Sequence, residues 1–187
     1  MEQIYHILIK KECNHKCPLC CNRLYDLDKL PTITGEQLRK ADVVCLTGGE
    51  PFMLREDSLI NLCRNIRIQY PNIKKLYIYT SGYAFLKWSI YNWSNLIYYI
   101  DGLNVAPKGK NDWSNLRVLL LNEYWRRNMG IDRLSNRLYV LEDQVENFNK
   151  YIGDIKFLIP FEVIGRKWDK EFKTPENEHF VRLPILF

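Results

Sequence analysis

Short apolar runs alternating with amphipathic stretches constrain this chain more than any other feature. Ile4 to Ile9, Val43 to Leu46 and Leu76 to Tyr79 read as buried strands. Leu96 to Ile100 with Leu103 to Val105 give a fourth, Leu138 to Leu141 a fifth, and Ile155 to Ile159, ended by Pro160, a sixth. Helices are predicted between them: Gly35 to Lys40 capped by Thr34, Asp57 to Gln69, Tyr83 to Trp93, Asp112 to Met129 closed by Gly130, and Glu142 to Tyr151. Leu59, Ile60, Cys63 and Ile66 share one face of the second, and Leu116, Leu119, Leu120 and Tyr124 one face of the fourth. Strands that each feed a helix build a parallel sheet of βαβ units. Right-handed crossovers would curl six such strands into an open barrel. A closed eight-stranded barrel takes about 250 residues, and 187 are present. The expectation is an α/β fold, a partial (β/α)6 barrel with shortened or missing helices. A single domain over 1–187 follows, with its core over about 4–160 and the tail 161–187 docked on the barrel.

In parallel sheets ligands collect at the carboxyl ends of the strands. A cysteine-rich stretch follows the first strand, Thr47-Gly48-Gly49-Glu50-Pro51 the second, Thr80-Ser81 the third, and Asn104 to Lys108 the fourth. One shared site at that rim is expected.

The cysteine stretch is Cys13-Asn14-His15-Lys16-Cys17-Pro18-Leu19-Cys20, a C-x3-C-x2-C run. Structural zinc takes four protein ligands. A [4Fe–4S] cube has four irons that thiolates usually hold, so three cysteines would leave one iron open to a small molecule. Cys21 is adjacent and leaves a second reading, C-x3-C-x3-C. A zinc knuckle with Cys21 or His15 as fourth ligand is the structural alternative. The six cysteines (13, 17, 20, 21, 45 and 63) could pair as three disulfides, but four are crowded together and no leader precedes them, which suits a reducing compartment. Cys45 and Cys63 fall on a strand and a helix and read as small core residues. His6 and His179 have no partner at ligand spacing and read as structural.

The C-x3-C-x2-C run, followed by Gly48-Gly49-Glu50-Pro51, resembles the radical S-adenosylmethionine (radical SAM) superfamily over about Ile4 to Pro160. The resemblance implies the same partial (β/α)6 barrel. It further implies a [4Fe–4S] cluster held by Cys13, Cys17 and Cys20, with SAM chelating the open iron and being cleaved reductively to a 5′-deoxyadenosyl radical that abstracts a hydrogen atom. The Gly-Gly-Glu-Pro turn and Thr47 would receive the SAM amino group, Glu50 supplying charge. Thr80 and Ser81 would face the ribose, and Asn104 or Lys108 the SAM carboxylate. Leu19 stands where the family usually has an aromatic residue near the adenine. No catalytic acid or base is assigned.

With no second cysteine cluster after residue 63, the radical SAM subgroups that carry auxiliary clusters in a C-terminal extension are not expected. Ala106-Pro107-Lys108 is similar to a Ser-Pro-Lys turn of 7-carboxy-7-deazaguanine synthases. Those enzymes carry Asp-Thr at a magnesium ion, where Cys21-Asn22 stand here. A glycyl-radical-enzyme activase acting on a large protein partner is equally compatible in length, and a peptide-modifying enzyme is a third option. The contrasting class is a non-catalytic binding module stabilised by zinc or a cluster. An external one-electron donor of flavodoxin or ferredoxin type is implied for the enzyme, and a homodimer is a further candidate assembly. Trp88, Tyr91, Trp93, Tyr98 and Tyr99 read first as core and second as a partner surface.

Hydrophobic residues at 47% against 26% charged suit a soluble globular chain. No apolar run reaches the 18 or so residues of a membrane span, and the first residues lack signal-peptide character, so a cytoplasmic protein is expected. A net charge of +5 without a basic block does not call for nucleic acid.

Overall fold

A computed structural model describes residues 1–17, 20, 26–155, 161–167 and 174–184. Its frame is one parallel sheet of seven strands in the order β6-β5-β4-β3-β2-β1-β7. The strands are β1 (Ile4–Lys10), β2 (Val43–Gly48), β3 (Lys75–Thr80), β4 (Gly102–Val105), β5 (Asn136–Leu141), β6 (Phe161–Arg166) and β7 (Glu178–Arg182). The first six follow chain order, as right-handed crossovers dictate. The helices are α1 (Gly35–Lys40), α2 (Glu56–Gln69), α3 (Ile90–Ile97), α4 (Lys110–Leu121), α5 (Glu123–Met129) and α6 (Val145–Tyr151).

Alternation along each strand sorts side chains between two faces. Ile7, Ile9, Val44, Leu46, Leu76, Ile78, Leu103 and Val105 face the helices and are fully or almost fully buried. Against them pack Leu59 and Cys63 of α2, Trp93 and Leu96 of α3, and Trp113, Leu116 and Leu120 of α4. The opposite face carries Val43, Cys45 and Tyr77, with Ile4 and Tyr79 packed on them. Rings continue across it: Phe180 stacks on His6 at 4.5 Å, Tyr79 lies 6.0 Å from His6 and 6.2 Å from Tyr139, and the Arg166 guanidinium covers Tyr139 at 4.5 Å. Burial on both faces explains why the strands read as nearly continuous apolar runs.

Several boundaries differ from the sequence reading, each for a local reason. The helix expected over Tyr83 to Trp93 starts later, because the Ser89 hydroxyl accepts from Asn92 N at 3.2 Å and caps it there. Leu96 and Ile97 therefore end a helix and do not open the fourth strand. The single helix expected over Asp112 to Met129 is two, broken at Asn122, whose side chain accepts from Trp125 N at 3.0 Å and caps α5. Glu142–Gln144 forms a 3-10 turn before α6. Of the sixth strand expected at Ile155 to Ile159, residues 156–159 lie outside those described and Ile155 is not in a strand; the strand paired with β5 is Phe161–Arg166. The tail does more than dock. It supplies β6 and also β7, which pairs parallel with β1 from Ile4↔Glu178 to Leu8↔Arg182.

Candidate functional site

The site forms where β1 to β4 end. Gly49 N donates to Lys10 O at 2.7 Å and Glu50 N to Glu12 O at 2.8 Å, extending the β1–β2 pairing into the cysteine loop. Gly48 takes φ +123°, a region that side-chain-bearing residues rarely enter. A Cβ on Gly49 would overlap the Glu12 carbonyl. These glycines thus seat the base of the cysteine loop. Pro51 opens a 3-10 turn, Pro51–Met53.

Glu50 is 1% exposed. Its Oε1 accepts from Thr80 Oγ1 at 2.8 Å and from Phe52 N at 3.3 Å; its Oε2 accepts from Ser81 N at 2.8 Å and Ser81 Oγ at 2.9 Å. Burial pushes its carboxyl above the ordinary range, and these four donors oppose that shift. Glu50, Thr80 and Ser81 are thus brought together, but onto one another. The contact ties the end of β2 to the end of β3. Ala106 N donates to Thr80 O at 2.8 Å and carries the lacing on to the turn after β4.

Cys13 is exposed and Cys17 and Cys20 are half-buried. Cys20 N donates to Cys17 O at 3.3 Å. Burial raises the Cys13 and Cys17 thiols above their ordinary value, and each also feels the charge of the neighbouring cysteines, so the sulfurs share one neighbourhood. Glu50 reinforces the rise at Cys13, while Lys108 opposes it at Cys17. Among the described residues no three Cys, His, Asp or Glu side chains stand in a metal-ready grouping. Deprotonation would come with a cation, as metal binding to thiols releases protons. Leu19, Cys21 and Asn22 lie outside the described residues.

His15 Nε2 lies 2.9 Å from Asp112 Oδ2, close but poorly aligned for a linear hydrogen bond. The Asp112 carboxylate holds the imidazole above its ordinary value, against the effect of burial. Asp112 also accepts from Lys108 N at 2.9 Å. Sequence reasoning missed Asp112. The available signal was an acid in the first turn of the helix that follows the fourth strand.

Asn104 is fully buried, and neither its Nδ2 nor its Oδ1 has a hydrogen-bond partner. Leu103 and Val105 occupy the helix-facing core, so alternation turns Asn104 to the other face, beside Tyr79 in the register. An orphaned buried amide costs about 1–3 kcal/mol, which fits a group meant for a polar ligand. Three soft cysteine donors in one loop fit an iron–sulfur cluster. The residues present therefore suit a [4Fe–4S] cluster with a polar companion. Cys45 and Cys63 take no part: both are buried, their thiols pushed up to about 12. His6 and His179 are structural, with His6 Nε2 3.0 Å from Glu178 and His179 Nε2 2.9 Å from Gln3 Oε1. Trp88 and Trp93 are core, whereas Tyr91 and Tyr98 are exposed.

Residues 4–117 match a family model described as a 4Fe-4S single cluster domain. Among solved structures, coproporphyrinogen III oxidase (HemN) from Escherichia coli, a radical SAM enzyme, aligns at TM-score 0.51 and 12% identity, over 88% of this chain and 44% of that one. SuiB from Streptococcus suis, bound to S-adenosylmethionine, aligns at TM-score 0.50 and 14% identity, over 97% and 47%. The chain thus spans less than half the length of either. Identities this low show a shared fold. No curated protein sequence matches the chain.

Proposed function

The chain belongs to the 4Fe-4S single cluster domain family and has the fold of radical SAM enzymes, and from that premise we propose that it is a radical SAM enzyme. The observation that carries this reading is the convergence at one rim of Cys13, Cys17 and Cys20, the Gly48-Gly49-Glu50 turn and the orphaned amide of Asn104. Cys13, Cys17 and Cys20 would hold a [4Fe–4S] cluster, which would supply the electron for reductive cleavage of SAM to a 5′-deoxyadenosyl radical. The residues around it bind and orient. Asn104 offers the SAM carboxylate an unpartnered amide N–H, and Lys108, whose charge reaches Cys17, adds attraction for it. Thr47 and the carbonyls of the Gly48-Gly49 turn would receive the ammonium. Glu50 contributes mainly by holding Thr80 and Ser81 in place.

The ring-lined face of the sheet opposite the helices would suit a flat, partly polar small molecule such as a deazapurine precursor. The activase reading, with a large protein partner, draws on exposed Tyr91, Tyr98 and Tyr124 along α3 and α5. A flavodoxin- or ferredoxin-type donor would supply the electron. No helix among the described residues is long and apolar enough to cross a membrane.

The test is anaerobic reconstitution with iron and sulfide. A brown protein that releases 5′-deoxyadenosine from SAM on reduction is the expected result, and Cys13→Ala, Cys17→Ala or Cys20→Ala should each abolish it. A colourless, zinc-loaded protein would support the binding module instead.

A further inference from the structure

The lacing of the rim runs from the cysteine loop to the β2 turn, then to the end of β3, then from Thr80 to Ala106 after β4. Each of these steps joins adjacent strands, as a parallel register requires. The contact of His15 with Asp112 does not: it links the loop after β1 directly to α4 after β4, skipping β2 and β3. It closes the lacing into a ring.

An aspartate in the first turn of a helix ordinarily serves the helix alone, and Asp112 does accept from Lys108 N just outside it. That role needs no histidine. Yet the same Oδ2 also meets His15 Nε2, with the two side chains 4% and 20% exposed. A buried carboxylate so placed fixes the spacing between two segments. One is the span from Cys13 to Cys17, in which His15 is the middle residue; the other is the turn Ala106–Gly109.

We propose that Asp112 is a positioning residue that, through His15, straps the cysteine loop to the turn after β4 and holds Cys13 and Cys17 in ligating position. The proposal rests on the radical SAM reading for the purpose of that loop. Orienting contacts behind metal ligands typically change metal affinity by about 10–100-fold. His15 N also donates to Cys13 Sγ at 3.4 Å, so the strap reaches one ligand sulfur through the backbone; it is expected to act at the lower end of that range, because the contact between the two side chains restrains the loop without meeting a sulfur itself.

The experiment compares His15→Ala, Asp112→Ala, the double variant and Asp112→Asn with the wild-type chain after anaerobic reconstitution. Iron and sulfide per chain, resistance of the cluster to a chelator, and the electron paramagnetic resonance spectrum of the reduced cluster with and without SAM are measured. Both single alanine variants should lose cluster to the chelator about tenfold faster and give heterogeneous spectra. The double variant should be no worse than either, as for residues acting as one unit. Asp112→Asn, which keeps an acceptor for both partners, should recover most of the loss. A His15→Ala protein that keeps its cluster and spectrum like the wild type overturns the proposal, as do additive effects. If Asp112→Ala fails to fold by circular dichroism, His15→Ala decides alone. A wild-type chain that takes up no iron and sulfide sinks the radical SAM reading but leaves the strap testable. Thiol alkylation of Cys13 and Cys17 in the metal-free protein should then be severalfold faster in His15→Ala, and equal rates would refute the strap.

Discussion

Glu50 and Asn104 are buried polar residues of opposite kinds. The Glu50 carboxylate has about four acceptor positions, and four protein donors already meet it. An ammonium ligand would have to displace one of them, so the acid serves as a clamp between β2 and β3. Glu50→Gln replaces one acceptor oxygen by a donor that faces Thr80 or Ser81. Denaturant unfolding should show a loss of about 1–3 kcal/mol, the cost of leaving a buried polar group unpaired. Asn104 has the reverse problem, with two polar atoms and no partner. Asn104→Leu, of similar volume, removes that burden. Its melting temperature should match or exceed that of the wild type, while calorimetric titration of the reconstituted protein with SAM shows weaker binding. A stable variant that binds SAM normally would remove Asn104 from the SAM site.

The strand ends depend on backbone approach. Gly49 leaves no room for a Cβ beside the Glu12 carbonyl, so Gly49→Ala must push the cysteine loop off the β2 turn. Overpacking of this kind costs typically about 1–3 kcal/mol. The variant should unfold at lower denaturant and also lose iron on reconstitution, since the displaced segment leads into Cys13. Loss of stability with full iron loading would separate the loop from the turn. How far such elements can be read in advance depends on where their determinants sit. The capping box of Thr34 and Gln37 is local, and α1 runs over Gly35–Lys40 as its sequence predicts. Cys13, Cys17, Cys20 and the Gly48-Gly49-Glu50 turn are likewise legible, being short motifs at strand ends. The break at Asn122 is hidden because Leu116, Leu119, Leu120 and Tyr124 keep one helical stripe through it, and only a side-chain cap reveals the new start. β7 is hidden for another reason: Glu-His-Phe-Val-Arg is only partly apolar and becomes a strand by pairing with a segment at the other end of the chain. The contact of His15 with Asp112 is equally remote in sequence, so no local pattern announces it.

At the scale of the whole molecule, the first and last strands are joined, on the face of the sheet opposite the helices, by His6 and Glu178. His6 lies at the centre of β1, 9% exposed, stacked on Phe180 and 3.0 Å from the Glu178 carboxylate. Burial lowers its pKa from the ordinary 6.5, the Glu178 carboxylate opposes that shift, and Arg166 on the far edge strand adds slightly to it. Tyr79 closes the group with a hydroxyl that burial holds neutral. The unfolded chain therefore binds a proton at this histidine more readily than the folded one. Stability then rises with pH between the folded value and 6.5, and is lost as pH falls below 6.5 through that window. Thermal melts taken from mildly alkaline to mildly acidic buffer should show the melting temperature falling on the acid side. His6→Gln can still donate to Glu178 but does not titrate, so its melting temperature should stay flatter over the same range. An unchanged acid decline in His6→Gln would place the responsible proton elsewhere and remove the β1–β7 seam as the point where acid opens the sheet. A decline that vanishes with the imidazole would show the two ends of the chain holding each other through one neutral histidine.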